Sequence, residues 1–292
     1  MDSISQMLLV SVLLLVPSII IIVGNLFTKK RQQEIPTDAK LNSLFLMSRD
    51  TAVKDSLQID DWRDIALESQ KLTQEAKSYC SQTVVKDLTA ENPGPKDHIV
   101  GEWRLDFVNP DRYHISQELW DVELGDIYDE WVTIGRETYQ NAGLWRLTDD
   151  EGNDELNMTL RVDSMLDILR NEEPIVSEVY QYEGRRYLLL NYGAPVSGRV
   201  SRGFPLLCKD LKGTCEIQIW ISLEAGLFVK GTMIYEGETP DGEFIQGEVH
   251  QMFTNYDADV RVSPPPWVNV APDSEGNLKV VNRKVPILRH HP

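Results

Sequence analysis

The chain is poor in the residues from which most active sites are built. Its 292 residues include five histidines, at 98, 114, 250, 290 and 291, and three cysteines, at 80, 208 and 215. The histidines form no H-E-x-x-H or other zinc-spaced pair, and G-x-S-x-G, P-loop and G-x-G-x-x-G signatures are all missing. This removes the common sequence grounds for a hydrolase, a nucleotide-binding enzyme or a zinc enzyme, so a non-enzymatic protein without a cofactor or a bound metal is expected. Positive charge is also scarce, with 29 Lys and Arg against 46 Asp and Glu. Nucleic acid is excluded as a partner, because an acidic surface repels a phosphate backbone. No repeat at solenoid period occurs, and no alternation of strands with long helices suggests a parallel sheet.

Charge is missing altogether from Ser3 to Thr28. Within that stretch Met7–Phe27 is long and apolar enough to span a bilayer, for which about 20 residues suffice. A cleaved signal peptide needs a basic n-region and a small-residue cleavage site, and neither is present. The expectation is therefore an uncleaved anchor over residues 1–31, with membrane contact through 7–27. Pro17 is tolerated in such a helix. The basic flank Lys29–Arg31 places the body in the cytoplasm by the positive-inside rule. A disulfide between Cys208 and Cys215, across the short loop CKDLKGTC, would instead require an oxidising compartment. Two unrelated buried thiols are the competing reading, and Cys80 reads as a small core residue. All 29 basic residues and all acidic ones except Asp2 follow Thr28, which leaves the body a net charge of −16.

Beyond the flank, residues 32–60 read as a polar linker followed by a helix near Asp38–Ser48. Asp60-Asp61 marks a second helix start, with Trp62, Ile65, Ala66, Ser69, Leu72 and Ala76 as one stripe. That stripe predicts core packing. From Ser78 the pattern turns to period two. Trp103–Leu147 holds three alternating runs, WRLDFVNPDRYHI, YDEWVTIGRETYQ and GLWRL, broken by Asn-Pro-Asp, Gly135 and Gly143. Such runs predict an antiparallel meander with one wet and one apolar face. Strands are also predicted at Tyr79–Leu88, Ile175–Tyr182, Arg185–Tyr192, Glu216–Leu223, Leu227–Tyr235 and Phe244–Phe253. Glu183-Gly184 is a hairpin turn signal. A short helix is expected over Val162–Arg170, irregular chain over Ala194–Leu207 and an acidic loop at Asp149–Glu155. Asn157-Met158-Thr159 fits the glycosylation pattern, which is too short to be specific. The domain runs over 61–264, and 265–292, opening near SPPPW, reads as an extended tail that wraps the body or stays mobile.

Several segments in order resemble one superfamily. They are Ser78-Tyr79 after a helix, FVNPDRYHI at Phe107–Ile115, EWVTIGRETY at Glu130–Tyr139 with Gly143-Leu144-Trp145, and the helix Ser164–Arg170. YEGRRY at Tyr182–Tyr187, EIQIWISLEAGLFV at Glu216–Val229 and FTNYDADVRVSP at Phe253–Pro264 complete the succession. It resembles the LolA-like fold of the lipoprotein carrier LolA and the LppX/LprG lipoproteins, over about residues 60–265. The resemblance implies an α+β fold, a strongly curved antiparallel sheet or half-barrel with helices on its concave side, here preceded by one transmembrane helix. It implies an extracytoplasmic body on the cell membrane, in conflict with the Lys29–Arg31 flank, and a lipid or acyl chain held between sheet and helices. No lipobox cysteine comes after the hydrophobic segment, and a tethered protein cannot shuttle freely across a periplasm.

The alternating faces nominate Trp103, Leu105, Phe107, Tyr113, Ile115, Ile217, Ile219 and Ile221 for such a cavity, with Trp62, Ile65 and Leu72 opposite. Two arrangements fit these residues. They line a ligand cavity, as sites are mostly apolar, or they pack on one another as a filled core, as interiors are by default. The second arrangement suits an accessory subunit of a membrane complex, contacting its partner subunits through tail and helix.

Overall fold

A computed structural model describes residues 37–57, 59, 61–89, 98–109, 111–121, 125–135, 137–141, 144–148, 173–196, 200–201, 204–205, 211–272 and 278–283. The chain divides between Lys40 and Leu41 into two compact units, and the second holds all the strands among the described residues. The expected membrane segment 7–27 and its basic flank, the acidic loop, the Val162–Arg170 helix, Asn157–Thr159, Cys208 and His290-His291 lie outside the described residues. No helix among the described residues is long and apolar enough to cross a membrane.

Helix α1 spans Thr37–Leu46 and α2 spans Trp62–Glu75. The strands of the main sheet are β1 Val53–Lys54, β2 Ser78–Asp87, β3 Ile99–Val108, β4 Arg112–Asp121, β5 Gly125–Ile134, β6 Glu137–Asn141, β7 Trp145–Thr148, β8 Val176–Tyr182 and β9 Arg185–Val196. After the small pair β10 Val200–Ser201 and β11 Phe204–Pro205, the sheet continues with β12 Lys212–Ser222, β13 Phe228–Glu238 and β14 Phe244–Thr254. A last hairpin joins β15 Val268–Pro272 and β16 Leu278–Arg283.

Twelve strands form one sheet in the order β1-β8-β9-β12-β13-β14-β2-β3-β4-β5-β6-β7. Every pairing in it is antiparallel. The sheet is large and curved, as open sheets beyond about 10 strands must be if twist accumulates from strand to strand. The three alternating runs of Trp103–Leu147 lie in β3–β7, paired in sequence. The strands β2 and β14 join that meander to the C-terminal strands through the register Val85↔Val249 and Phe253↔Ser81. The Glu183-Gly184 turn has positive φ at both residues, 49° and 74°, the backbone of a type I′ hairpin.

Period two sorts the strand residues between two faces. Leu188, Leu190, Ile217, Ile219, Ile221, Leu105 and Phe107 share one buried cluster, against which Trp62 and Ile65 of α2 pack. Tyr187, Leu189, Trp220, Val84 and Met252 share a second with Leu41, Leu44 and Met47. The helices therefore do not share a face: α2 covers one side of the sheet and α1 the other. This corrects the expectation of helices on one concave side. Its cause lies in β9 and β12, where consecutive apolar residues (Tyr187–Leu190, Ile219–Ile221) make both faces apolar and both in need of cover.

In the tail, β15 and β16 pair as a hairpin, and Val262 and Val270 pack on Val132, Ile134 and Trp145 of the α1-side face. The Trp267 ring meets Tyr139 edge-on, 5.5 Å between centroids. Strand β9 likewise runs on through Ala194–Val196, in place of the expected irregular chain.

Candidate functional site

The structure brings together most of the residues nominated for an apolar cavity. Leu105, Phe107, Tyr113, Ile115, Ile217, Ile219 and Ile221 are buried in the α2-side cluster. Trp62, Ile65 and Trp103 are half-buried at its margin. The Trp103 indole lies over Gly101, and its Nε1 donates to Gln117 Oε1 at 2.8 Å. Leu72 does not join: it is 36% exposed and lies beside the Gly226 turn. Ile115, Ile217, Ile219 and Ile221 have no accessible surface, so no void wide enough for water touches them.

What α2 turns inward is unlike the stripe expected from sequence. Its buried residues are Ala66, Ser69, Gln70 and Thr73, spaced i, i+3, i+4, i+7 on one helical face. Ser69 Oγ and Gln70 Nε2, on side chains 0% and 4% exposed, find no hydrogen-bond partner among the described residues. The same holds for Thr83 Oγ1 and Tyr192 OH, which alternate with apolar residues on the facing strands. Burial pushes the Tyr192 hydroxyl well above its usual pKa, which keeps it a neutral donor. An unmade hydrogen bond on a buried polar group costs about 1–3 kcal/mol. The α2–sheet seam is thus an apolar wall facing a neutral polar stripe.

The other face holds ionisable groups that composition and motif do not disclose. Lys230, 1% exposed, projects from β13 toward α1. Its Nζ donates to the carbonyls of Phe45 at 2.9 Å and Met47 at 2.6 Å. These are acceptors left over at a helix C-terminus, where a cation is favoured. Burial nevertheless pushes the ammonium down to about 7, with Glu248 opposing and Lys86 adding to the shift. His250 stacks edge-on against Phe45 at 4.9 Å and approaches Thr232 Oγ1 at 3.4 Å and Glu248 at 3.1 Å. Its pKa is lowered by burial, against the pull of Glu248. Lys86 lies 5.1 Å over the Phe45 ring and 3.8 Å from Glu248.

A third group crosses β3, β4 and β5. His114 donates from Nε2 to Glu130 Oε1 at 2.7 Å, and its Nδ1 lies 3.7 Å from Asp106. Asn141 Nδ2 donates to the second oxygen of Glu130 at 3.1 Å. Burial pushes the imidazole pKa down, but the bonds to Asp106 and Glu130 outweigh it and hold the pKa above its ordinary value. Asp106 is pushed up by burial and held below the usual carboxylate range by His114 and by a bond from Cys80. The imidazole thus stands between two carboxylates, bonded to Glu130 and facing Asp106. Asp129 and Glu130 fall on opposite faces, as adjacent strand residues must. Among the described residues no group of three or more His, Cys, Asp or Glu is placed to hold a metal ion. Cys215 is buried in the α2-side cluster; its expected partner Cys208 is not among the described residues.

No family model and no curated protein matches this chain. Among solved structures it is similar to a LolA superfamily protein, NE2245 from Nitrosomonas europaea. The likeness covers 70% of this chain and 94% of that one at 8% identity, with a TM-score of 0.24. Overlap at that score carries no argument about function, which rests on the side chains of the seam.

Sequence reasoning finds the sheet side of the seam and misses the helix side. Ser69 belongs to the stripe read from sequence, but Gln70 and Thr73 do not, because a stripe is read by hydrophobicity. Their positions one and two turns beyond Ala66 are the available signal. Lys230 is detectable only as a lysine opposite Trp220 in β13–β12 pairing, and pairing register is not legible in one strand.

Proposed function

We propose that this protein is a membrane-tethered, non-enzymatic binding protein that takes a lipid or acyl chain between α2 and the curved sheet. One observation carries the reading: a largely apolar strand face closed by a helix whose buried stripe, Ala66, Ser69, Gln70 and Thr73, is mostly polar. A helix fastened for good over an apolar wall gains about 25 cal/mol for each Å² of apolar surface it buries. Here α2 sets hydroxyl and amide groups beside Ala66 and the half-buried Trp62 and Ile65, so its closure is weakened and an apolar chain competes for the wall. In this reading the residues 7–27 anchor the body outside the cytoplasm, and the order of motifs resembling the LolA-like fold supports the same assignment. Native mass spectrometry of the full chain extracted in mild detergent is the test. A co-purifying lipid mass is expected, and a spectrum holding only the bare chain overturns the reading. For the side of the membrane, labelling Cys208 and Cys215 in intact membranes is expected to find no free cytosolic thiol.

A second reading draws on the zero exposure of Ile217, Ile219 and Ile221. A filled interior suits an accessory subunit of a membrane complex that binds partner proteins and no lipid. Crosslinking that captures stoichiometric partners, together with a lipid-free mass, favours it.

A further inference from the structure

On the α1 side, the end of a helix meets the sheet through groups that can change charge near neutral pH. Phe45 and Met47 give their carbonyls to Lys230 Nζ at 2.9 Å and 2.6 Å. The Phe45 ring is flanked by His250 at 4.9 Å and by Lys86 at 5.1 Å. Three bases, from β13, β14 and β2, thus converge on the end of α1. One carboxylate stands among them: Glu248 lies 3.1 Å from His250 and 3.8 Å from Lys86, and its charge also reaches Lys230. The other neighbours add no counter-charge to this group. From Leu41 to Met47 the chain carries no ionisable side chain. Opposite Lys230 and Thr232 stand Trp220 and Gln218 of β12, and opposite His250 stands Val84 of β2. The nearby acids are engaged elsewhere. Glu102 of β3 accepts from Gln82 and Arg104, and Glu216 of β12 accepts from Asn191 and Gln218. On β8, Glu178 is bonded by Arg49, Lys54 and Tyr180, and at the β8–β9 turn Glu183 accepts from Ser43 of α1. The remaining titratable groups of this face are the tyrosines Tyr180, Tyr182 and Tyr187.

With α1 in place, Lys230 and His250 are buried, and burial holds both below their ordinary pKa values, Lys230 at about 7. Once α1 lifts, water reaches both groups and their values return toward about 10.4 and about 6.5. The lifted form therefore binds more protons, and acid favours it. The charge balance runs the same way. Protons added at Lys230 and His250 put more positive charge beside Lys86, with Glu248 as the counter-charge, and like charges in a buried site repel.

We infer that the contact of Leu41–Met47 with the sheet is an acid-released clasp, closed while Lys230 and His250 are neutral and opening as they take up protons. A freed helical turn lengthens from about 1.5 Å per residue to at most about 3.5 Å when extended. Where residues 7–27 anchor the chain, release gives the body a longer tether in acid; that consequence rests on the anchored reading, and the clasp itself does not. Hydrogen exchange of the full chain in dodecyl maltoside, read by mass spectrometry at pH 8 and pH 5 and corrected for intrinsic exchange rates, is the test. Helix α1 has 10 residues, too few to persist alone in water, so release opens its amides to exchange. Protection over 41–47 is expected to fall at least tenfold from pH 8 to pH 5 while β12–β14 keep theirs. His250→Gln and Lys230→Met are each expected to cut that fall severalfold. Circular dichroism at pH 8 identifies a variant that has lost the fold, and the other then carries the comparison. Equal protection over 41–47 at the two pH values, an equal fall in β12–β14, or a full fall kept by both folded variants overturns the clasp. None of these outcomes touches lipid binding, which native mass spectrometry reads separately.

Discussion

Tyr235 shows how closely single residues are set in this sheet. Its ring lies across Gly247 on the neighbouring strand, so a methyl at Gly247 would come within 2.4 Å of Cζ and the hydroxyl oxygen. Gly247→Ala is expected to destabilise the fold by about 1–3 kcal/mol, the usual result of overpacking, measured by urea unfolding. His114 makes a different kind of prediction. Its folded pKa is above the unfolded value of about 6.5, so the folded chain holds this proton more tightly. The stabilisation is complete below that pH and is lost as pH rises through the folded value. Asp106 works in the other sense, its contribution fading as pH falls through its lowered pKa. By urea unfolding, the stability of the wild type relative to His114→Gln should fall from pH 5 to pH 8, and the His114 ring protons should titrate above about 6.5 by NMR.

At the scale of elements, the two helices are fastened in different ways. Apolar contacts from Leu41, Leu44 and Met47 hold α1, and Lys230 bonds the carbonyls at its C-terminal end. Burial depresses the Lys230 pKa to about 7, against about 10.4 in an unfolded chain. Between those values the unfolded chain binds more protons, so this residue's contribution to stability rises with pH. The stability gap between wild type and Lys230→Met should therefore widen from pH 7 to pH 10, and unfolding of the two proteins at each pH checks it. Helix α2 is held by Ala66, Trp62 and Ile65 and by contact of Thr73 with Tyr256, while Ser69 Oγ and Gln70 Nε2 go without partners among the described residues. A bound lipid should raise amide exchange across Trp62–Glu75 while the strands β12–β14 stay protected; unchanged exchange in α2 would contradict entry at the seam. The C-terminal hairpin is a structural element as well. Trp267→Ala should cost about 2–4 kcal/mol by opening its contact with Tyr139, again read by urea unfolding. The strands are legible in sequence because alternation identifies them one at a time. Hairpin β15–β16 is not, since its strands are short and their apolar residues gain meaning only against Val132 and Ile134.

Among the described residues of the second unit, one wide sheet carries a buried cluster on each face, and the chain after Thr28 has a net charge of −16. That charge disfavours contact with anionic surfaces. Local sequence decided which segments become strands and helices. Side-chain alternation follows from the pleat, helical start signals act within one turn, and the Glu183-Gly184 turn needs only its own backbone conformation. The succession of strands after one helix also determined the antiparallel class, because no long crossovers are available. Tertiary structure decided what each face is for. Whether α1 and α2 share a side depends on the register of β9 against β12, a relation between residues far apart in the chain. So does the meeting of Asp106, His114 and Glu130, and the placing of Lys230 under the end of α1. The polar inward stripe of α2 has the same origin. A helix has several faces that its own sequence could bury, and only the shape of the sheet beneath it selects the one carrying Ser69, Gln70 and Thr73.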